Sequence, residues 1–260
     1  MGPAQKKIVR FKVDGREYEG TDGESLLGAL RYYGYRVPSL CHHEAVSPYG
    51  ACRLCLVEVG KGRRRKLTTS CNYPVGDGIE VFLDTEKVTA HRKMVISLLL
   101  AEAPGAKAVL ELAEEYGVAA APFPPAERDG CIRCGLCVRV CKEIVGAEAI
   151  GFAGRGLGKA VEVPWRKENE ACIACGACAY ICPTKCIDLS DEGGIRRLPR
   201  WRREIPLERC SACGRPIAPS FQLDAFARST GTDRRRLETC VDCRGGLTGK
   251  PARKAAGAAR

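Results

Sequence analysis

The sequence predicts an α+β fold divided into several small modules rather than built on one large hydrophobic core. The chain of 260 residues contains 17 cysteines, and all but one of them fall into short, regularly spaced sets. Aromatic residues make up only 6% of the chain, which leaves little material for a single large core. A strand-like alternation followed by a helix pattern opens the chain, and the cysteine sets come after it.

Two cysteine runs with the same spacing, C-x2-C-x2-C-x3-C, dominate the middle of the chain. This spacing is typical of bacterial [4Fe–4S] proteins, in which the fourth cysteine of each run binds the cluster of the other run. Zinc sites or disulfides fit poorly, because two identical runs do not suit tetrahedral zinc. We therefore predict one cluster on Cys131, Cys134, Cys137 and Cys182, and a second on Cys172, Cys175, Cys178 and Cys141.

The N-terminal region predicts a β-grasp domain. Residues Ile8–Val13 and Arg16–Glu19 alternate as two strands, and Asp14-Gly15 between them predicts a hairpin turn. The segment Thr21–Glu24 has the form of a capping box that opens a helix from Ser25 to Tyr33. A hairpin followed by a helix is the usual beginning of a β-grasp fold.

Four further cysteines follow this helix, and they predict a [2Fe–2S] site. They are Cys41, Cys52, Cys55 and Cys71. The central C-x2-C and two distant single cysteines match the plant-type arrangement, although the first gap is longer than in plant ferredoxin. By analogy, Cys41 and Cys52 hold one iron, and Cys55 and Cys71 hold the other. A structural zinc site is the alternative, and His42 and His43 are interpreted as loop residues rather than Rieske-type ligands.

The C-terminal region predicts a separate metal site with four thiolate ligands. Two C-x2-C knuckles supply them: Cys210, Cys213, Cys240 and Cys243. This pattern is typical of zinc ribbons and rubredoxins, so zinc is favoured, with mononuclear iron or an unusual cluster as the alternatives. Because no continuous apolar pattern spans the knuckles, we expect the metal to supply most of the folding energy.

These patterns predict five segments. They are a β-grasp [2Fe–2S] domain at 1–84, a helical linker at 85–126, a two-[4Fe–4S] ferredoxin-like domain at 127–192, a four-cysteine metal-binding module at 193–247 and a disordered tail at 248–260. The linker predicts helices at Glu86–Glu102 and Lys107–Tyr116, with His91 on the surface of the first. Cys186 lies outside every set and is interpreted as a buried apolar residue beside a cluster.

The net charge of +11 overstates how basic the protein is. Coordination deprotonates the ligand thiols, so three clusters and one four-thiolate site would lower the charge to about +3. The basic runs Arg63–Lys66 and Arg196–Arg203 remain candidate docking edges or, for the second, a solvated linker. The longest apolar run is too short to span a membrane and no secretion signal opens the chain, so we expect a cytoplasmic location.

Several longer motifs carry a resemblance to a known family. They are Val37-Pro38-Ser-Leu-Cys41, Gly50-Ala-Cys52-Arg53-Leu-Cys55, Cys71-Asn-Tyr-Pro74, Cys131-Ile-Arg-Cys134 and Arg139-Val-Cys141-Lys-Glu143. They resemble the iron–sulfur subunits of the complex I 75-kDa type, including the diaphorase small subunit of NAD-linked [NiFe] hydrogenases and the N-terminal part of [FeFe] hydrogenases. The resemblance covers residues 8 to about 190. One departure is that residues 86–125 contain no cysteine, whereas those relatives usually carry a His-ligated cluster there.

The resemblance implies a subunit that relays single electrons in an NAD(P)-linked oxidoreductase. Its partners would be a flavin–NAD(P)-binding subunit and a hydrogenase or formate dehydrogenase catalytic subunit, with neither nucleic acid nor a membrane. One alternative is a redox-sensing regulator that binds nucleic acid through its basic runs and zinc knuckles. Another is a ferredoxin-linked subunit of a formate hydrogenlyase-type complex, which Cys210-Ser-Ala-Cys213-Gly-Arg-Pro resembles. The sequence shows no dinucleotide fingerprint, so we expect no self-contained active site.

Overall fold

The computed structural model describes residues 7–62, 64–121, 124 and 130–246, and the chain divides into two compact units. The first unit combines Met1–Val140 with Ile181–Cys186, and the second combines Cys141–Tyr180 with Ile187–Arg260. The central cysteine region is therefore divided between the two units. Residues 131–140 and 181–186 belong to the first unit, and residues 141–180 belong to the second. The predicted disordered tail, 248–260, lies outside the described residues.

The first unit is built on a five-stranded sheet with the strand order β2-β1-β5-β3-β4. Its elements are β1 (Ile8–Val13), β2 (Arg16–Thr21), α1 (Leu26–Tyr32), β3 (Leu56–Lys61), β4 (Arg64–Thr69) and β5 (Glu80–Phe82). The predicted N-terminal hairpin is confirmed, and its turn is made by two residues with positive φ, Asp14 at 47° and Gly15 at 84°. Strand β1 alternates exposed and buried residues, and its buried Val9, Phe11 and Val13 pack in the core with Leu26 and Leu30 of α1.

The predicted capping box is only partly correct. The Glu24 carboxylate accepts a hydrogen bond from the Thr21 amide at 2.7 Å, as in such a box. Helix α1, however, begins at Leu26 with Ser25 as its N-cap, so Thr21 ends strand β2 instead of capping the helix. The box residues form a turn, because the Gly23 amide donates to the Val75 carbonyl and the Ser25 hydroxyl to the Cys71 carbonyl.

The two linker helices are confirmed at the predicted bounds, as α2 (Glu86–Glu102) and α3 (Lys107–Tyr116). Thr85 caps α2 through its side chain, and Gly117 ends α3 in the left-handed region at φ 63°. His91 is exposed, as predicted. Arg92 is only 1% exposed and donates to the Leu56 carbonyl of β3 at 2.7 Å, so it ties the helix to the residue that follows Cys55.

Short elements lie in and between the two central cysteine runs. They are α4 (Leu136–Arg139), a π-helical turn at Val140–Ile144, the hairpin strands β6 (Gly151–Ala153) and β7 (Ala160–Glu162), and α5 (Ala177–Ile181). The π-helical turn contains Cys141 and falls where the first unit ends and the second begins. Single π turns inside helices are often found at functional sites. The glycine-rich residues 154–158 form the connection between β6 and β7, in which Gly154 lies too close to the Gly158 carbonyl for a side chain.

The second unit contains a four-stranded antiparallel sheet with the order β11-β10-β9-β8. Its remaining elements are β8 (Ser190–Glu192), β9 (Ile195–Leu198), β10 (Arg203–Arg209), β11 (Pro216–Pro219), α6 (Ser220–Thr230) and α7 (Val241–Gly246). The boundary expected at residue 193 falls inside the turn of the β8–β9 hairpin. A small core of Ala218, Leu223 and Leu237 packs under α6, so the C-terminal segment has apolar contacts beyond its cysteines.

The interpretation of Arg196–Arg203 as a solvated linker is wrong, whereas its use as a docking edge stays a prediction, with Arg202 exposed. This run forms β9, a short turn and the start of β10, and the two strands pair with each other in an antiparallel arrangement. Arg196 is only 9% exposed and makes two 2.7 Å contacts with the Asp191 carboxylate. Trp201 is 1% exposed. Charged and apolar residues alternate along this run with the two-residue period of a strand, and one face of that strand is buried in the folded chain.

We expect Arg92→Leu to destabilise the first unit by about 2 kcal/mol, because the Leu56 carbonyl would lose its charged hydrogen-bond donor in a buried place. Chemical denaturation of the anaerobically purified protein measures the change. Arg36→Leu is the matched control, since Arg36 is 84% exposed in its pair with Glu115 and should change stability by no more than about 0.5 kcal/mol. Equal losses in the two variants would contradict the structural role of Arg92.

Candidate iron–sulfur and metal sites

The four N-terminal cysteines lie together and are all buried. The thiols hydrogen-bond in pairs, Cys41 with Cys52 and Cys55 with Cys71. A hydrogen bond from the Cys52 thiol lowers the pKa of Cys41 to about 6, and one from the Cys71 thiol lowers the pKa of Cys55 to about 7. The same hydrogen bonds raise the pKa of Cys52 and Cys71, so each pair joins a thiol that deprotonates readily to one that a bound iron would deprotonate. The pairs are the same as those predicted for the two irons.

Backbone groups point at these sulfurs. The Cys52 amide donates to the Cys41 Sγ at 3.3 Å, and the Leu40 amide to the Cys52 Sγ at 3.4 Å. Arg53 adopts a φ of 58°, which turns the chain tightly between Cys52 and Cys55. The two histidines bond elsewhere: His42 contacts the Arg31 guanidinium and His43 accepts from the Ala45 amide. This is consistent with their interpretation as loop residues.

The first unit also brings together the first three cysteines of the first central run and the distant Cys182. Burial, with smaller effects from the nearby thiols of Cys182 and Cys41, raises the pKa of Cys134 to about 11. The Arg133 amide donates to the Cys131 Sγ at 3.4 Å. Cys137 is buried on α4. The four predicted ligands are therefore in one unit, as the crossed assignment requires.

Cys186 lies beside this group. Its Sγ is 3.7 Å from the Cys182 Sγ, and its thiol also hydrogen-bonds with that of Cys131. Cys186 is half-buried, and it packs 3.6 Å from the position that a Cβ on Gly130 would occupy. Cys186 therefore lies beside two of the predicted ligands, and its interpretation as a non-ligand beside a cluster stays a prediction. Five thiols are thus available where four are needed.

The second central run surrounds a cavity in the second unit. The cavity has a mostly apolar lining that includes Leu198 and Trp201. Its four cysteines are the predicted set Cys141, Cys172, Cys175 and Cys178. A cavity that combines apolar walls with four thiols fits a compact metal–sulfide group, because such a group needs thiolate ligands and limited access of water.

The two central runs repeat each other in backbone conformation as well as in sequence. The residue before the second cysteine is left-handed in both, Arg133 at φ 52° and Ala174 at φ 51°. The glycine after the second cysteine is also left-handed in both, Gly135 at 72° and Gly176 at 78°. Residues other than glycine rarely adopt this left-handed backbone conformation, and adopting it costs about 1 kcal/mol or more. The repetition therefore indicates that the loop shape itself is needed to direct three sulfurs to one point.

Sequence reasoning missed three residues that contact the cysteine loops. Arg139 of α4 donates to the Cys41 carbonyl at 2.7 Å and also to the Ser47 carbonyl. Arg203 donates to the Cys172 carbonyl at 2.9 Å, and the Trp201 indole N–H to the Cys178 Sγ at 3.3 Å. The alternating pattern around Trp201 could have indicated a strand with a buried face, but nothing in the sequence indicates which sulfur that face meets.

The C-terminal cysteines form a compact four-thiol group, in which all four sulfurs lie within 4.8 Å of one another. They are Cys210, Cys213, Cys240 and Cys243. The Cys240 amide donates to the Cys210 Sγ at 3.2 Å, and this bond is the largest influence that lowers the pKa of Cys210 to about 6. An ion pair between Arg215 and Asp242 joins the two knuckles. This donor set fits one tetrahedral metal ion.

The fourth ligand of the first central cluster can be tested directly. We expect Cys182→Ala to remove about four or more iron atoms per chain, because the first cluster loses the ligand that comes from the second run. Cys186→Ala should keep the full iron content. Iron and acid-labile sulfide analysis of anaerobically purified protein measures this. The opposite result, with iron lost in Cys186→Ala and retained in Cys182→Ala, would exchange the two assignments.

No helix among the described residues is both long and apolar enough to cross a membrane. Residues 6–86 match the family of 2Fe-2S iron-sulfur cluster binding domains, and residues 166–188 match the 4Fe-4S binding domain. A solved NAD+-reducing [NiFe]-hydrogenase in the H2-reduced state shares the fold, with a TM-score of 0.56 at 22% identity. That likeness covers 88% of this chain and 98% of the other.

The chain also has relatives of known function. It is 33% identical over 173 residues to the NADPH-Fe(3+) oxidoreductase subunit alpha of Geobacter sulfurreducens, which is 57% of this chain and 20% of that protein. It is 31% identical over 174 residues to the mitochondrial NADH-ubiquinone oxidoreductase 78 kDa subunit of Candida albicans, which is 57% of this chain and 24% of that one. The matches thus span a quarter or less of each of these two proteins. The resemblance drawn from the motifs is confirmed: this chain carries 2Fe-2S and 4Fe-4S ferredoxin domains, and its relatives are iron–sulfur subunits of the complex I 75-kDa type.

Proposed function

We propose that this chain is the electron-transfer subunit of a multisubunit NAD(P)-linked oxidoreductase. It would hold one [2Fe–2S] cluster, two [4Fe–4S] clusters and one C-terminal zinc or mononuclear iron ion, on the sixteen cysteines assigned above. Each iron–sulfur cluster accepts and releases one electron at a time. The observation that carries the proposal is that the N-terminal and first central cysteine sets lie side by side within one unit.

Arg139 is the direct link between these two sets. It lies on α4, between the ligands Cys137 and Cys141, and it donates to the Cys41 carbonyl at 2.7 Å. Its positive charge also lowers the pKa of Cys41, although less than the bond from Cys52 does. A cation held between two thiolate groups offsets their negative charge and fixes their separation. The linker carries no His-ligated cluster motif, and here the N-terminal site packs directly against a central one.

The finer description of the fold belongs to the same proposal. The parallel pairing of β1 with β5 and the helix after the first hairpin support a β-grasp domain at residues 1–84. We retain the helical linker at 85–126 and the two-cluster domain at 127–192 as functional segments. The module at 193–247 is proposed as a metal-stabilised extension of the second unit, because its sheet begins at Ser190.

The partners follow from the relatives. Because their names describe NADH- and NADPH-dependent oxidoreductases, we propose a flavin–NAD(P)-binding subunit as one partner and a hydrogenase or formate dehydrogenase catalytic subunit as the other. Of the first basic run, Arg63 lies outside the described residues, whereas Arg64–Lys66 are exposed on the edge strand β4 and offer a basic docking surface. The nucleic-acid alternative loses support, since Arg196 and Arg203 of the other basic run pair with carboxylates.

Reconstitution tests the proposed function. The isolated chain should accept electrons from dithionite but not from NADH, and a flavin–NAD partner subunit should make NADH effective. Stopped-flow bleaching of the cluster absorbance measures each reduction. Rapid reduction of the flavin-free chain by NADH would overturn the proposal. Failure with every flavin–NAD partner, combined with reduction by ferredoxin, would support the formate hydrogenlyase-type alternative instead.

The C-terminal metal is tested by Cys240→Ala, which should lower the metal content by about one ion per chain, because three thiolates hold zinc or iron poorly. Elemental analysis of zinc and iron in the purified protein identifies the ion. Ser211→Ala is the matched control, since Ser211 is exposed and adjacent to Cys210 without offering a sulfur. An unchanged metal content in Cys240→Ala would contradict a bound ion at this site.

A further inference from the structure

Trp201 is a buried hydrogen-bond donor aimed at a cysteine of the second central set. It ends the short helical turn Pro199–Trp201 between β9 and β10, and its side chain is almost completely inaccessible to solvent. Its indole Nε1 lies 3.3 Å from the Cys178 Sγ. The indole N–H can only donate, and a buried indole N–H needs an acceptor. Here the acceptor is the sulfur of a proposed cluster ligand.

The surrounding contacts hold Trp201 in this position. Arg203, two residues later, donates to the Cys172 carbonyl at 2.9 Å and pairs with Glu168. On the other side, the Arg196 guanidinium donates to the Ala174 carbonyl at 3.2 Å and to Gln222 at 2.7 Å. The β9–β10 hairpin is therefore fastened to the cysteine loop on both sides of the indole. A donor fixed in this way keeps its direction whichever charge the site carries.

We propose that Trp201 is a positioning residue that raises the reduction potential of the cluster held by Cys141, Cys172, Cys175 and Cys178. The inference rests on the proposed function, because it requires a cluster at that cavity. One-electron reduction adds negative charge that is shared by the coordinating sulfurs, and an N–H donor stabilises this form more than the oxidised form. Hydrogen bonds to the sulfurs are among the factors that set the potentials of such clusters. The C-terminal hairpin thereby adjusts the cluster without supplying a ligand to it.

The test is Trp201→Phe, which keeps an aromatic ring in the cavity wall and removes the N–H. We expect an unchanged iron content and a more negative midpoint potential for one of the two [4Fe–4S] clusters, measured by redox titration with electron paramagnetic resonance detection. Trp165→Phe is the matched control, because Trp165 is the other tryptophan of the chain, lies in the same unit and is 89% exposed. The midpoint potentials of the clusters in the Trp165→Phe variant should equal those of the unsubstituted protein.

A measurement that leaves Trp201 in place covers the case in which Trp201→Phe fails to fold. Indole-15N tryptophan is incorporated into the Trp165→Phe variant, which leaves Trp201 as its single tryptophan. Hyperfine spectroscopy of the reduced clusters should then detect a 15N coupling to one of them. Unchanged potentials in a fully loaded Trp201→Phe protein, or no 15N coupling in the labelled protein, would overturn the inference while leaving the relay in place. A cavity that never acquires iron under anaerobic loading would instead overturn the proposed function itself.

Discussion

The crossing of the chain between the two central cysteine runs is the constraint on which the rest of the structure depends. Cys182 ends the second run but belongs to the unit that contains the first three cysteines of the first run, and Cys141 ends the first run but belongs to the other unit. Three sulfurs of each set come from one tight loop, while the fourth must be delivered from a distant part of the chain. Under the proposed assignment, the loss of conformational freedom in closing these loops would be offset by bonds to the clusters. Folding and cofactor binding are therefore expected to be a single process in this region.

Tight loops around sulfur require unusual backbone conformations, and both runs meet this requirement in the same way. Glycine provides the left-handed conformation without strain at Gly135 and Gly176, whereas Arg133 and Ala174 adopt it despite their Cβ atoms. At Gly176 the space is also restricted, because a Cβ there would lie 2.7 Å from Leu189 Cδ1. The glycine is needed mainly for the turn, because the end of the Leu189 side chain could move away from a Cβ. The strain at the other two positions is maintained by the surrounding loop.

Arginine residues connect the cysteine loops to the rest of each unit. Arg139 joins the first central run to the Cys41 loop, and Arg203 joins the second run to the β9–β10 hairpin. Both donate to a cysteine's backbone carbonyl, which leaves the sulfur free to bind metal. An arginine placed in this way fixes loop geometry and adds positive charge beside thiolates, and both effects favour a negatively charged metal group. The basic composition of the chain is therefore partly an internal requirement and not only a surface property.

The sequence by itself determined the elements whose signals are local. Hairpin turn residues, helix bounds at Glu86–Glu102 and Lys107–Tyr116, and the C-terminal set of four cysteines depend on spacing along the chain, and these predictions agree with the structure. Tertiary structure decided what depends on contacts between distant segments. The start of α1 at Leu26, the burial of Arg196 and the approach of Trp201 to Cys178 each require a distant partner or a sheet that local periodicity does not specify. A charged run has the same composition whether water or a carboxylate surrounds it, so only the folded chain distinguishes a docking edge from an internal support.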